Sequence, residues 1–151
     1  MQQITLPLPS LGATRDLAER IAPQLRTGDV LMLAGDLGAG KTTFAQFLIH
    51  ALSPVPVEVT SPTFTLLQTY PIRYGDGAAG ELYHYDLYRI EHPSALAELG
   101  LEEATQHLTL IEWPERLGDA RIQPTLALSF VLGHDANRSV TIHSYRDGII
   151  L

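Results

Sequence analysis

The run Val30-Leu31-Met32-Leu33-Ala34-Gly35-Asp36-Leu37-Gly38-Ala39-Gly40-Lys41-Thr42-Thr43 decides how the chain is read. Its first five residues are apolar without alternation, which predicts a short strand buried on both faces. Gly35 to Thr42 then fits G-x-x-x-x-G-K-[ST] in full. After it, Phe44, Phe47, Leu48, Ala51 and Leu52 recur at helical spacing. A phosphate-binding loop needs strand, glycine-rich turn and helix in that order, and an ordinary glycine turn would lack this context. The residue types suit the chemistry. Glycines let the backbone curl so that its N–H groups face phosphate oxygens, and a helix starting at Lys41 adds its positive end. Lys41 is placed to reach the β and γ phosphates, the Thr42 hydroxyl to ligate Mg²⁺, and Thr43 to touch the α phosphate. Asp36, Leu37, Gly38, Ala39 and Gly40 complete the nucleotide-binding set.

Working outward, Thr14 is a plausible N-cap for a helix carrying Leu17, Ala18, Ile21 and Leu25, which Pro23 should kink or end. Val57 to Thr60 is expected to be extended and Thr63 to Tyr70 to form a strand. Glu81 to Leu87 alternates and should pair with that strand antiparallel, across the glycine-rich turn Gly75 to Gly80. Pro93-Ser94-Ala95 opens a short helix that Gly100 stops. Leu108 to Ile111 reads as a second buried strand ending at Glu112. Leu126 to Leu132 and Val140 to Ser144 are further strands, joined by a turn at residues 133–137. The expectation is an α/β fold: a single P-loop NTPase domain over residues 1–151, with a mixed, mainly parallel central β-sheet flanked by few helices.

The length of 151 residues, with 45% hydrophobic side chains, suits one soluble domain with a real core. Ten basic and seventeen acidic side chains give a net charge of −7. A basic face for gripping nucleic acid is therefore not expected, although nucleic acid could be reached through a partner. The absence of Cys removes disulfides and thiolate chemistry. No apolar run is long enough for a membrane helix, and no signal peptide is read, so a cytoplasmic location without membrane contact is the expectation. Of the ten basic residues nine are Arg; Lys41 is the single Lys.

A Mg-nucleotide site also needs a carboxylate at the end of a neighbouring strand. Glu112 ends an apolar strand just before Trp113-Pro114, and Asp86 ends the alternating one. Either can serve as metal ligand or water-positioner, so Lys41, Asp86 and Glu112 are the expected catalytic residues, and Thr42, Glu112 and Asp86 the metal set. A GTPase is disfavoured, because guanine-recognition motifs need a second Lys and no Asp-x-x-Gly switch occurs. A small P-loop metabolite or nucleotide kinase stays possible, although the Arg residues are scattered and no lid is evident. A nucleotide-sensing module that does not hydrolyse is a further alternative.

Four further segments narrow the choice: Thr60-Ser61-Pro62-Thr63-Phe64, His84-Tyr85-Asp86-Leu87-Tyr88-Arg89, Leu99-Gly100-Leu101 and Ile111-Glu112-Trp113-Pro114-Glu115. With GDLGAGKTT, their order and spacing resemble the bacterial TsaE family, also called YjeE, from about Thr14 to about Val140. The resemblance implies a small ATPase, using ATP/ADP and Mg²⁺, in the biosynthesis of tRNA threonylcarbamoyladenosine (t6A). It also implies TsaB- and TsaD-like partners, with tRNA met only indirectly, and ATP turnover that supports the complex rather than transferring the group. By the same resemblance Thr42 and Glu112 hold Mg²⁺, Asp86 lies in the active site, and Thr60–Phe64 is a switch loop sensing the γ phosphate. Thr14 would approach the adenine, against its simpler reading as an N-cap. Arg138 could lie near the base or phosphates, or be a solvated turn residue. Trp113 could line the nucleotide site, meet a partner or fill the core. The tyrosines 83, 85 and 88 could face a partner or the interior. The loop Pro71–Gly80 matches no family feature.

Overall fold

A computed structural model describes residues 1–118 and 120–151. Its elements, in chain order, are β1 (Gln2–Pro7), α1 (Leu11–Ile21), β2 (Val30–Ala34), α2 (Lys41–Leu52), β3 (Leu67–Arg73), β4 (Ala79–Asp86), α3 (Ala95–Glu98), α4 (Leu101–Ala104), β5 (Leu108–Glu112), β6 (Leu126–Leu132) and β7 (Arg138–Ser144). The strands form one sheet in the order β1-β7-β6-β2-β5-β4-β3. β6, β2, β5 and β4 are joined by parallel ladders, and antiparallel pairs close both margins. β1 opposes β7, which opposes β6, so β1 points the same way as the central four. The sheet is mixed and mainly parallel, as expected.

The apolar run of β2 is explained by cover on both faces. Leu31 and Leu33 join Leu108, Leu110 and Leu128 in a large core with α1 and α2. Val30, pointing the other way, packs with Tyr85, Ile111 and the short helices α3 and α4. Each fully buried Leu of this kind contributes about 1.5–3 kcal/mol. Pro71 lies in β3, which is an edge strand and so loses little by lacking a ladder donor.

Several boundaries differ from the sequence expectation. Ser10, not Thr14, caps α1: its side chain accepts from the Ala13 N–H at 3.1 Å, and Thr14 is buried one turn further on. Pro23 falls in a 3-10 turn, Ala22–Gln24, after α1 has ended at Ile21. β3 begins at Leu67 rather than Thr63, because the Leu66 N–H turns back to the Pro62 carbonyl at 2.6 Å and Leu66 adopts φ 67°. Gly100, at φ 68°, does stop the helix at 95–98, but it also starts α4. β1 escaped the sequence reading, and β7 begins two residues before Val140.

The turn of the loop Pro71–Gly80 is a tight hairpin packed on the body. The Tyr74 N–H donates to the Ala78 carbonyl, and Asp76 Oδ1 accepts from the Ala78 N–H at 2.9 Å. A Cβ at Gly75 would run into the Pro23 carbonyl oxygen, so that glycine serves a close approach.

Candidate active site

The C-terminal ends of β2, β5 and β4 lie side by side, and the N-terminus of α2 points at them. The turn between β2 and α2 requires its glycines at two points. Gly35 has φ +137°, and a Cβ there would lie 2.5 Å from the Phe130 carbonyl oxygen on β6. Gly40, at φ +118°, is the N-cap of α2. Past it, the N–H groups of the first turn, Lys41 to Thr43 included, have no carbonyl one turn back to accept them. That helix end, with the dipole behind it, favours an anion.

Lys41 is buried, and its ammonium is held by the loop itself. Nζ donates to the carbonyls of Gly35 and, at 3.0 Å, Asp36. It also lies 4.2 Å from the centre of the Trp113 ring, a cation–π contact. Burial lowers its pKa below the usual 10.5, while Glu112 and Asp86 oppose the shift by favouring the charged form.

Strand alternation explains how the acids meet it. His84 and Asp86 share one face of β4, Leu110 and Glu112 share one face of β5, and the register pairs Asp86 with Glu112. That face lies under α2, which brings Thr42 within reach. Thr42 Oγ1 donates to Glu112 Oε1 at 2.9 Å, and His84 Nε2 lies 2.6 Å from Glu112 Oε2. Asp86 Oδ1 accepts from the Tyr88 N–H at 3.0 Å, and Oδ2 from Thr63 Oγ1 at 3.1 Å. Thr63 in turn meets Ser61 at 2.7 Å, so the Thr60–Phe64 segment is tied to Asp86.

The donor set around Thr42 is all oxygen. Adjacent oxygens of an octahedron with bonds of about 2.0–2.1 Å lie about 2.9 Å apart, the separation seen between Thr42 and Glu112. Among the described residues no group of three or more His, Cys, Asp or Glu is arranged to hold a metal. A hydroxyl and one or two carboxylates fit a cation that arrives with phosphate oxygens as its other ligands, as Mg²⁺ does.

One cleft gathers these groups. It is lined by Leu37 to Thr43, by Thr63, Asp86, Tyr88, Glu112 and Trp113, and by Leu8 to Leu11, Thr14, Ala136 and Arg138. Arg138 is exposed, and its guanidinium donates to the Gly38 carbonyl at 3.3 Å. Trp113 holds a left-handed backbone at φ 61° and packs on Tyr88, with ring centres 4.9 Å apart.

A family model, threonylcarbamoyl adenosine biosynthesis protein TsaE, matches residues 8–140. The chain belongs to the TsaE family. A relative in Rickettsia prowazekii, named tRNA threonylcarbamoyladenosine biosynthesis protein TsaE, is 36% identical over 137 residues, which is 90% of this chain and 92% of that protein. One of the same name in Bacillus subtilis is 38% identical over 130 residues, covering 85% and 77%. The crystal structure of Bacillus subtilis YdiB superposes with a TM-score of 0.73 at 30% identity, over 98% of this chain and 89% of that one.

Set beside the TsaE-family expectation, the structure brings Thr14, Leu37, Gly38, Ala39, Gly40, Lys41, Thr42, Thr43, Asp86, Glu112 and Arg138 to one cleft. Asp36 does not line it; Asp36 is exposed and contributes its carbonyl to Lys41. Of the tyrosines, Tyr85 is interior and donates to the Leu99 carbonyl at 2.8 Å, Tyr83 stacks on His107, and Tyr88 reaches the cleft. The residues missed are Leu8 to Leu11 and Ala136. Ser10 before Leu11 was the readable cap signal for the first group. Nothing in the sequence marks Ala136, which lines the cleft from a left-handed backbone at φ 59°.

Proposed function

We propose that this TsaE-family chain binds Mg-ATP in the cleft, hydrolyses it to ADP and phosphate, and thereby supports t6A modification of tRNA in the cytoplasm. The observation that carries this reading is the junction of Thr42, Glu112 and Lys41 at the N-terminus of α2. In it the loop N–H groups hold the β and γ phosphates. Lys41 exchanges its two carbonyl partners for phosphate oxygens and balances charge as the terminal bond breaks. Thr42 and Glu112, with Asp86 beside them, would hold Mg²⁺, which would supply compensation for the phosphate charge. Asp86 orients a water for in-line attack, and Thr63, hydrogen-bonded to Asp86, reports whether the γ phosphate is present. Thr14 and Arg138 line the same cleft; Thr14 would approach the adenine, and Arg138 the base or the phosphates.

The partners are TsaB- and TsaD-like subunits, and the net charge of −7 favours contact with tRNA through them rather than directly. A pull-down with both partners, with and without ATP, tests this. ATP-dependent association is expected; equal association in both conditions contradicts the role. Transfer of the γ phosphate to a small-molecule acceptor instead of water would make the chain a kinase.

A further inference from the structure

His84 is fully shielded from solvent near the C-terminal end of β4, on the face that carries Leu82 and Asp86. Its Nε2 lies 2.6 Å from Glu112 Oε2, while Glu112 Oε1 accepts from Thr42. Each carboxylate oxygen therefore has one neighbour of its own. His84 Nδ1 is, among the described residues, the buried side-chain nitrogen or oxygen without a hydrogen-bond partner. A proton on Nδ1 would be a buried donor with no acceptor, which is unfavourable. A carboxylate oxygen accepts, so the 2.6 Å contact is donated by His84 Nε2–H to Glu112. A side chain needed only for packing at this place would be apolar, as Leu82 and Leu110 are on the same layer. An imidazole with one open nitrogen is costly to bury, and the cost is accounted for if the other nitrogen has a task.

We infer that His84 is a positioning residue for the metal-binding carboxylate. Its Nε2–H fixes the Glu112 carboxylate from behind through Oε2, and so presents Oε1, the oxygen beside Thr42 Oγ1, to the cation that arrives with the nucleotide. Hydrogen-bonding partners behind ligating carboxylates set ligand orientation, and their loss weakens metal binding. The inference rests on the Mg-ATP reading of the cleft. Nothing in it requires His84 to touch nucleotide or to exchange a proton.

The test uses Mn²⁺ as the probe, titrated into the full chain saturated with ADP and followed by electron paramagnetic resonance. The variants are His84→Leu, His84→Gln and His84→Asn. A Gln amide nitrogen can reach the position of Nε2, whereas an Asn amide reaches only that of Nδ1. Leu and Asn should weaken Mn²⁺ binding about 10–100-fold, and Gln should keep it close to wild type. ADP binding in EDTA should be the same in all of them. Should His84→Leu not fold, the contrast between Gln and Asn, two polar variants, still decides. Adding His84→Leu to Glu112→Gln should cost no further Mn²⁺ affinity. Equal loss in the Gln and Asn variants, or wild-type affinity in all three, overturns the positioning role. Failure of the wild type itself to bind Mn²⁺ with ADP would instead overturn the Mg-nucleotide reading on which it rests.

Discussion

Lys41 combines three properties that few lysines share. It is the single Lys of the chain, it is buried, and its ammonium sits between two backbone carbonyls, an indole ring and two carboxylates. Burial is the largest influence and favours the free amine, so reaction with an amine-directed reagent should reach its half-maximal rate below pH 10.5. Glu112 opposes this shift, and Glu112→Gln should therefore move the profile to still lower pH. Mapping labelled peptides against pH separates Lys41 from the α-amino group. A profile centred at or above 10.5, or one that Glu112→Gln raises, would contradict the electrostatics of the site. Saturating Mg-ATP should slow the labelling, because the phosphates take the place the reagent needs. Lys41, Thr42 and Glu112 were legible in the sequence because the motif fixes their type and spacing. The partnership of His84 with Glu112 was not, since it depends on a register between strands 28 residues apart along the chain.

At the scale of elements, β4 illustrates how one strand serves both faces of the sheet. His84 and Asp86 face α2, and Tyr85 between them faces α3, where its hydroxyl donates to the Leu99 carbonyl. Burial pushes the Tyr85 phenol up to about 12, against 10 for the unfolded chain. Between those values the folded state keeps a proton that the unfolded state has lost, so stability falls as pH rises from 10 towards 12. Tyr85→Phe should remove that part of the alkaline loss. At neutral pH it should cost about 1 kcal/mol, since the Leu99 carbonyl loses its donor. Urea melts at pH 7 and at pH 11 check both signs; an unchanged alkaline slope in the variant would contradict the assignment. β2, α2 and β5 were readable because cover on both faces forces uninterrupted apolar runs. The start of β3 was not, because Thr63 to Leu66 has strand-like residues but a backbone drawn away by Pro62 and Asp86. The N-cap of α1 was misplaced for a local reason: Ser10 and Thr14 are both good cap residues, and only the course of the chain chooses between them.

For the whole molecule, sheet order does the positioning. β2 lies between β5 and β6, so the loop leaving β2 is flanked by Glu112 on one side and by Phe130 on the other. The carboxylates of β4 and β5 reach the same edge because their ladders are parallel and in register. The antiparallel pairing of β3 with β4 was foreseeable from the glycine-rich turn between them, but sheet order was not, since it is set by crossovers that leave no local mark. The proposed activity of this edge is turnover of Mg-ATP. It is tested most directly by measuring release of inorganic phosphate from ATP by the wild type, Lys41→Ala and Glu112→Ala. All three are assayed with TsaB- and TsaD-like partners present, and with thermal melting as the control for folding. The prediction is phosphate release by the wild type that falls at least about 100-fold in both folded variants, in line with the loss of preorganised charge at a phosphoryl-transfer site. Equal release by wild type and variants would contradict the account, as would a folded wild type that releases none.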